Sequence, residues 1–225
     1  LLMWSAQMFT SASLEASKLA AATPLLDAMR TEVTCGQVLD VTSQSGMAGS
    51  DSESALDLVG RVVEYKCASY TVVRPCQIGV ALAGGSDRLQ QTMADFGSPI
   101  GRAFQYRDDL LGIFGDAVLT GKPAGDDLRE GKRTILVALA WLAADEAGRD
   151  RMEGWLGDPA LGEGGVAGFR EILTSTGAVD EVEGEIARLV ETSRAALAEL
   201  EGCGVPREAV VALGSLVDLA TTRTA

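Results

Sequence analysis

The chain has 225 residues with 32 acidic and 19 basic side chains, a formal net charge of −13 and no histidine. That balance excludes the basic surface that nucleic acid requires and disfavours docking on anionic lipid. It also removes every His-based triad or general base. With no CxxC pair among Cys35, Cys67, Cys76 and Cys203, zinc is disfavoured as well.

The chain opens on "LLMWSAQMF", an apolar helical stretch with no cap, which predicts a further segment before Leu1. Apolar residues then recur at three- and four-residue spacing over Leu14–Ala28, Pro24–Val41, Ala55–Val73, Leu89–Phe114, Asp127–Ala147, Val179–Leu200 and Pro206–Leu219. Ser50 and Glu53 form a capping-box pattern, and Pro206 suits a first helical position. Pro75 is expected to kink or end its helix. Gln44–Ser54, Gly84-Gly85-Ser86 and the glycine-rich Gly154–Gly168 read as loops. Strand alternation is nearly absent, so the expected fold is all-α, one domain over residues 1–225. No apolar run is long enough to span a bilayer. Thiols in apolar surroundings predict a reducing cytoplasm.

Four constellations carry chemistry. Gln37 and Asp40 share a helix face, and Lys66 and Tyr70 lie one turn apart, the latter pair followed by Pro75. Each alone also reads as an ordinary exposed pair or a snorkelling lysine. Gln105, Asp108 and Asp109 fall within one turn, and adjacent carboxylates repel unless a cation lies between them. The chain holds only four lysines, and two of them, Lys122 and Lys132, each follow a glycine shortly after that acidic pair. A compact ammonium beside a glycine can approach a phosphate oxygen closely, so acid and base together point to a metal-bridged anion site.

In this order the motifs resemble the trans-isoprenyl diphosphate synthase (polyprenyl synthetase) family. They are Glu32-x-x-x-Gly36-Gln37-x-x-Asp40, Lys66-Cys67-Ala68-Ser69-Tyr70-Thr71, Phe104-Gln105-Tyr106-Arg107-Asp108-Asp109, and Gly121-Lys122-x-x-Gly125-x-Asp127-Leu128-x-x-Gly131-Lys132-x-Thr134. The resemblance implies a helical bundle around a central cavity, homodimeric, joining an allylic diphosphate to isopentenyl diphosphate with Mg²⁺. It implies Asp108 and Asp109 as metal ligands, and Lys66, Lys122 and Lys132 as diphosphate contacts. Gln105 would orient the metal-side network, Gln37 and Asp40 would line the allylic pocket, and Tyr70 and Thr71 would flank the hydrocarbon chain. The family's second motif is DDxxD, but its last position here is Gly112, with Asp116 a turn further on as a candidate substitute. The Lys-Thr pair common in the family is Lys66-Cys67. The first aspartate-rich motif and the arginines for isopentenyl diphosphate would precede Leu1, so the 225 residues alone are expected to be inactive. A non-catalytic diphosphate-binding subunit and a class I terpene cyclase are the alternatives, and the three lysines favour the synthase over the cyclase.

Overall fold

In a computed structural model, which describes residues 2–43, 52–115 and 125–221, helix follows helix with no strand among the described residues. The elements are α1 (Leu2–Thr10), α2 (Ala16–Ser43), α3 (Ser52–Val63), a π segment (Glu64–Val73), α4 (Arg74–Leu82) and α5 (Asp87–Phe114). They continue with α6 (Asp126–Arg129), α7 (Ile135–Ala143), α8 (Glu146–Trp155), α9 (Glu163–Ser175) and α10 (Ala178–Glu199). A 3₁₀ turn (Leu200–Cys203) and α11 (Arg207–Thr221) close the order.

Helix α5 organises the rest because its two faces differ in composition. Phe96, Ile100, Ala103, Tyr106, Leu110 and Ile113 recur at helical spacing and are all buried. They join Val182, Ile186 and Leu189 of α10 in the main apolar cluster. Two polar contacts fix that packing: the buried Ser193 hydroxyl donates to the Phe96 carbonyl at 2.9 Å. Arg107 meets both carboxylate oxygens of Glu183 at 2.6 and 2.7 Å. The opposite face carries Gly97, Gly101, Gln105, Asp108 and Gly112. A Cβ at Gly101 would lie 2.6 Å from the Ala68 Cα, so the π segment can approach α5 only because position 101 is glycine.

Several boundaries differ from the sequence expectation. The two patterns before Val41 merge into one helix with Pro24 inside it. Pro75 does not end its helix, because the chain switches to i→i+5 bonding before it, with the Arg74 N–H on the Ser69 carbonyl. Pro75 then occupies the first turn of α4, where its missing N–H costs nothing. Asp127–Ala147 is not one helix but α6, α7 and the start of α8. Thr134 and Asp145 cap α7 and α8 by accepting from the Val137 and Gly148 N–H groups. Gly154–Gly168 is not a continuous loop: α9 begins at Glu163, and Gly168 is needed inside it because a Cβ there would lie 2.6 Å from the Trp155 ring. The Ser50 cap lies outside the described residues.

Helix α2 meets the π segment and α4 through residues spaced by four. Glu32 accepts from the Arg74 guanidinium through both oxygens, while Arg74 also donates to Gln77 at 2.8 Å. One turn on, a Cβ at Gly36 would lie 2.5 Å from the Lys66 nitrogen and 2.9 Å from its Cα. Both are backbone atoms that cannot swing aside, so Gly36→Ala must part the helices at a cost of about 1–3 kcal/mol. A thermal melt is expected to show a lower Tm for that variant, by roughly 2–4 °C per kcal/mol. An unchanged Tm would show that the two helices do not touch there.

Candidate functional site

The close approach at Gly36 places Asp40, one turn further along α2, against Lys66: the ammonium donates to Asp40 Oδ2 at 2.5 Å. Lys66 and Asp40 line a pocket of about 230 Å³ together with Gln105, Asp108 and Asp109 of α5 and Lys132, Arg133 and Thr134 of the segment before α7. Acid and base therefore converge from four separate parts of the chain. Lys66 and Asp108 are 42 positions apart in sequence, yet they share this one concavity.

The two adjacent aspartates differ in environment. Asp108 is exposed, whereas Asp109 is 3% exposed and accepts a hydrogen bond from the Gln105 amide at 2.8 Å. Burial pushes the Asp109 pKa up to about 7; the Gln105 bond opposes this, the Asp127 and Asp108 carboxylates add to it, and Lys132 opposes it. The Gln105 bond and the Lys132 charge do not offset the burial of this acid. Lys132 has the contrary problem. Burial would lower its pKa, but the hydrogen bonds from its ammonium to Asp127 and to Glu130 hold it above the usual lysine value. Beside Lys66, Cys67 is held as a thiol at about 12, by burial first and then by the Asp109 charge.

A divalent cation suits this donor set. Among the described residues no group of three or more His, Cys, Asp or Glu side chains could hold a metal alone. Two carboxylates projecting into a pocket also lined by lysines fit the habit of Mg²⁺, which keeps waters and completes its shell with phosphate oxygens. Asp108 and Asp109 would hold it.

The Asp109 carboxyl also gives a pH signature. Its folded pKa lies above the unfolded value, so the folded state keeps a proton that the unfolded state has already lost. Wild-type protein free of divalent metal should therefore lose stability relative to Asp109→Asn as pH rises from about 4 to about 7. Melts of both proteins across that range check this, and a difference flat in pH would contradict it.

Of the residues expected at the site, Lys66, Lys132, Asp40, Gln105, Asp108 and Asp109 are brought together. Lys122 and Asp116 lie outside the described residues. Gln37 is exposed on α2 and does not line the pocket, because the inward face of α2 is Glu32, Gly36 and Asp40. Tyr70 is 44% exposed and is not among the residues that line the pocket. Thr71 lines a different, largely apolar groove of about 580 Å³ with Phe96, Ile100 and Phe104. Sequence reasoning missed Arg133, which lines the acidic pocket and whose buried Nε has no hydrogen-bond partner. Its position directly after Lys132 was the available signal.

The sequence profile of the polyprenyl synthetase family matches residues 2–167. The chain is 35% identical over 147 residues to the geranylfarnesyl diphosphate synthase of Aeropyrum pernix, covering 65% of this chain and 44% of that protein. It is 50% identical over 102 residues to the geranylgeranyl diphosphate synthase of Sulfolobus acidocaldarius, covering 45% of this chain and 29% of that protein. The chain thus spans less than half the length of these curated relatives. The fold superposes on a geranylgeranyl pyrophosphate synthase from Corynebacterium glutamicum, solved with isoprenyl diphosphate and magnesium. The TM-score is 0.90 at 38% identity, over 99% of this chain and 61% of that one. A polyprenyl synthase from Caulobacter crescentus, solved with calcium and isoprenyl diphosphate, matches with a TM-score of 0.77 at 27% identity, over 91% of this chain and 59% of that one.

Proposed function

Since the chain belongs to the polyprenyl synthetase family, we propose that its protein condenses an allylic diphosphate with isopentenyl diphosphate to a short-chain trans-prenyl diphosphate, with Mg²⁺ as cofactor. The observation that carries this is the convergence of Asp108 and Asp109 with Lys66 and Lys132 on one pocket. The reaction breaks the allylic C–O bond, and the diphosphate leaves with the electron pair. The isopentenyl double bond then forms the new C–C bond, and a proton is lost to restore a double bond.

The residues divide this work by charge. Bound Mg²⁺ would supply Lewis-acid neutralisation of the leaving diphosphate. Lys66 and Lys132 would meet its oxygens directly, and their attraction grows as negative charge accumulates there, so it favours the transition state over the ground state. Lys122 belongs to the same group by its motif. Gln105 orients Asp109 through the bond to its carboxylate. Asp40 holds the Lys66 ammonium at the pocket before substrate arrives. None of these tasks needs histidine.

A homodimer in the cytoplasm completes the reading. Met3, Trp4 and Met8 of α1 are 79%, 66% and 75% exposed, which supports a further protein surface packing on them. The four unpaired cysteines support a reducing compartment. The test is to incubate the full-length protein with labelled isopentenyl diphosphate, allylic primers and Mg²⁺. The expected result is a longer prenyl diphosphate with stoichiometric pyrophosphate, abolished by EDTA. Pyrophosphate release from the primer without isopentenyl incorporation would instead indicate a cyclase.

A further inference from the structure

The acidic motif lacks a carboxylate at Gly112, yet the space beside that position is filled by another one. A Cβ on Gly112 would fall on the Asp127 carboxylate, with the Asp127 Cγ only 2.8 Å away. Asp127 is buried, with 10% of its side chain accessible, and it arrives from a separate segment, joined to α5 at Gly112. The Gly125 N–H donates to the Gly112 carbonyl at 3.2 Å, and the Gly157 N–H donates to the Leu128 carbonyl at 2.7 Å. Gly125 and Gly131, on either side of α6, have φ of +78° and +72°, which only glycine adopts without strain. The turn they make brings the Lys132 N–H to the Asp127 carbonyl at 3.0 Å and the Lys132 ammonium to the Asp127 carboxylate.

We infer that Asp127 is a positioning residue for the diphosphate pocket: its carboxylate occupies the volume left by Gly112 and holds the Lys132 ammonium toward Asp108 and Asp109. This rests on the diphosphate reading of the pocket. Gly112 and Asp127 form a reciprocal pair, since that volume takes a carboxylate from one position or the other and not from both. Asp127 does not line the pocket itself, so it acts through Lys132. A carboxylate near an anion site weakens anion binding by simple repulsion. Its presence is accounted for by the fixed direction that it gives to a long, flexible ammonium side chain.

The experiment is calorimetric titration of the full-length protein with inorganic pyrophosphate in the presence of Mg²⁺. Asp127→Asn, nearly isosteric, is expected to weaken binding about tenfold, and to add nothing further in a Lys132→Ala background because both changes remove one interaction. A bystander carboxylate predicts the opposite sign: unchanged or tighter binding in Asp127→Asn would overturn the inference. Gly112→Asp should also lose binding, and Asp127→Gly in the same chain should recover part of it; no recovery would contradict the reciprocal pairing. Reductive methylation of Lys132, followed by mass spectrometry, reads its positioning without any ligand. Faster modification in Asp127→Asn than in wild type supports the inference, and equal rates overturn it. If wild type binds no Mg–pyrophosphate, the diphosphate reading fails while the methylation result still decides the role of Asp127.

Discussion

Asp108→Ala is expected to lower kcat for condensation by about 10²- to 10³-fold, the largest loss from any single pocket substitution. Asp108 is the exposed member of the pair and is ready to bind a cation, whereas the buried Asp109 carries a pKa raised to about 7 and must lose its proton first. Removing Asp108 would leave only the buried carboxylate of Asp109, whose pKa burial raises. Raising the Mg²⁺ concentration should recover part of the activity, because the defect is in holding the ion and not in the substrate contacts. Steady-state assays over a range of Mg²⁺ measure this. Asp116→Ala should cost far less; equal losses in the two variants would move the metal-binding role to Asp116.

Lys66→Ala is expected to lower kcat/KM by about a hundredfold. Its ammonium is the cation that the π segment presents to the pocket, and Asp40 holds it there at 2.5 Å. Asp40→Asn should cost less than Lys66→Ala, since it loosens the ammonium without removing it. In the double variant the two losses should not add, because both act on one interaction with the diphosphate. Additive losses would mean that Asp40 contacts substrate independently.

Much of this arrangement can be read in the sequence where local pattern decides it. The α5 stripe from Phe96 to Ile113 follows helical spacing, and its opposite face carries Gln105 and Asp108 at the positions that spacing dictates. What could not be read depends on partners distant in the chain. Residue spacing does not reveal that Glu64–Val73 adopts i→i+5 bonding, which lets Pro75 follow without ending the helix. Glycine signals are ambiguous for the same reason. Gly168 resembles loop punctuation but sits within α9 against the Trp155 ring, and Gly36 admits the Lys66 backbone. Gly112 reads as a lost ligand until Asp127 is found beside it. The raised pKa of Asp109 follows from burial, which sequence spacing does not measure.

The central claim is that Asp108, Asp109, Lys66 and Lys132 form one metal–diphosphate site. A crystal structure of the full-length protein with Mn²⁺ and inorganic pyrophosphate tests it most directly, because manganese can be located by its anomalous signal. The account predicts an anomalous peak roughly 2.0–2.3 Å from an Asp108 oxygen, bridged to pyrophosphate oxygens that accept from the Lys66 and Lys132 ammonium groups. A manganese peak elsewhere, or pyrophosphate bound away from both lysines, would contradict it.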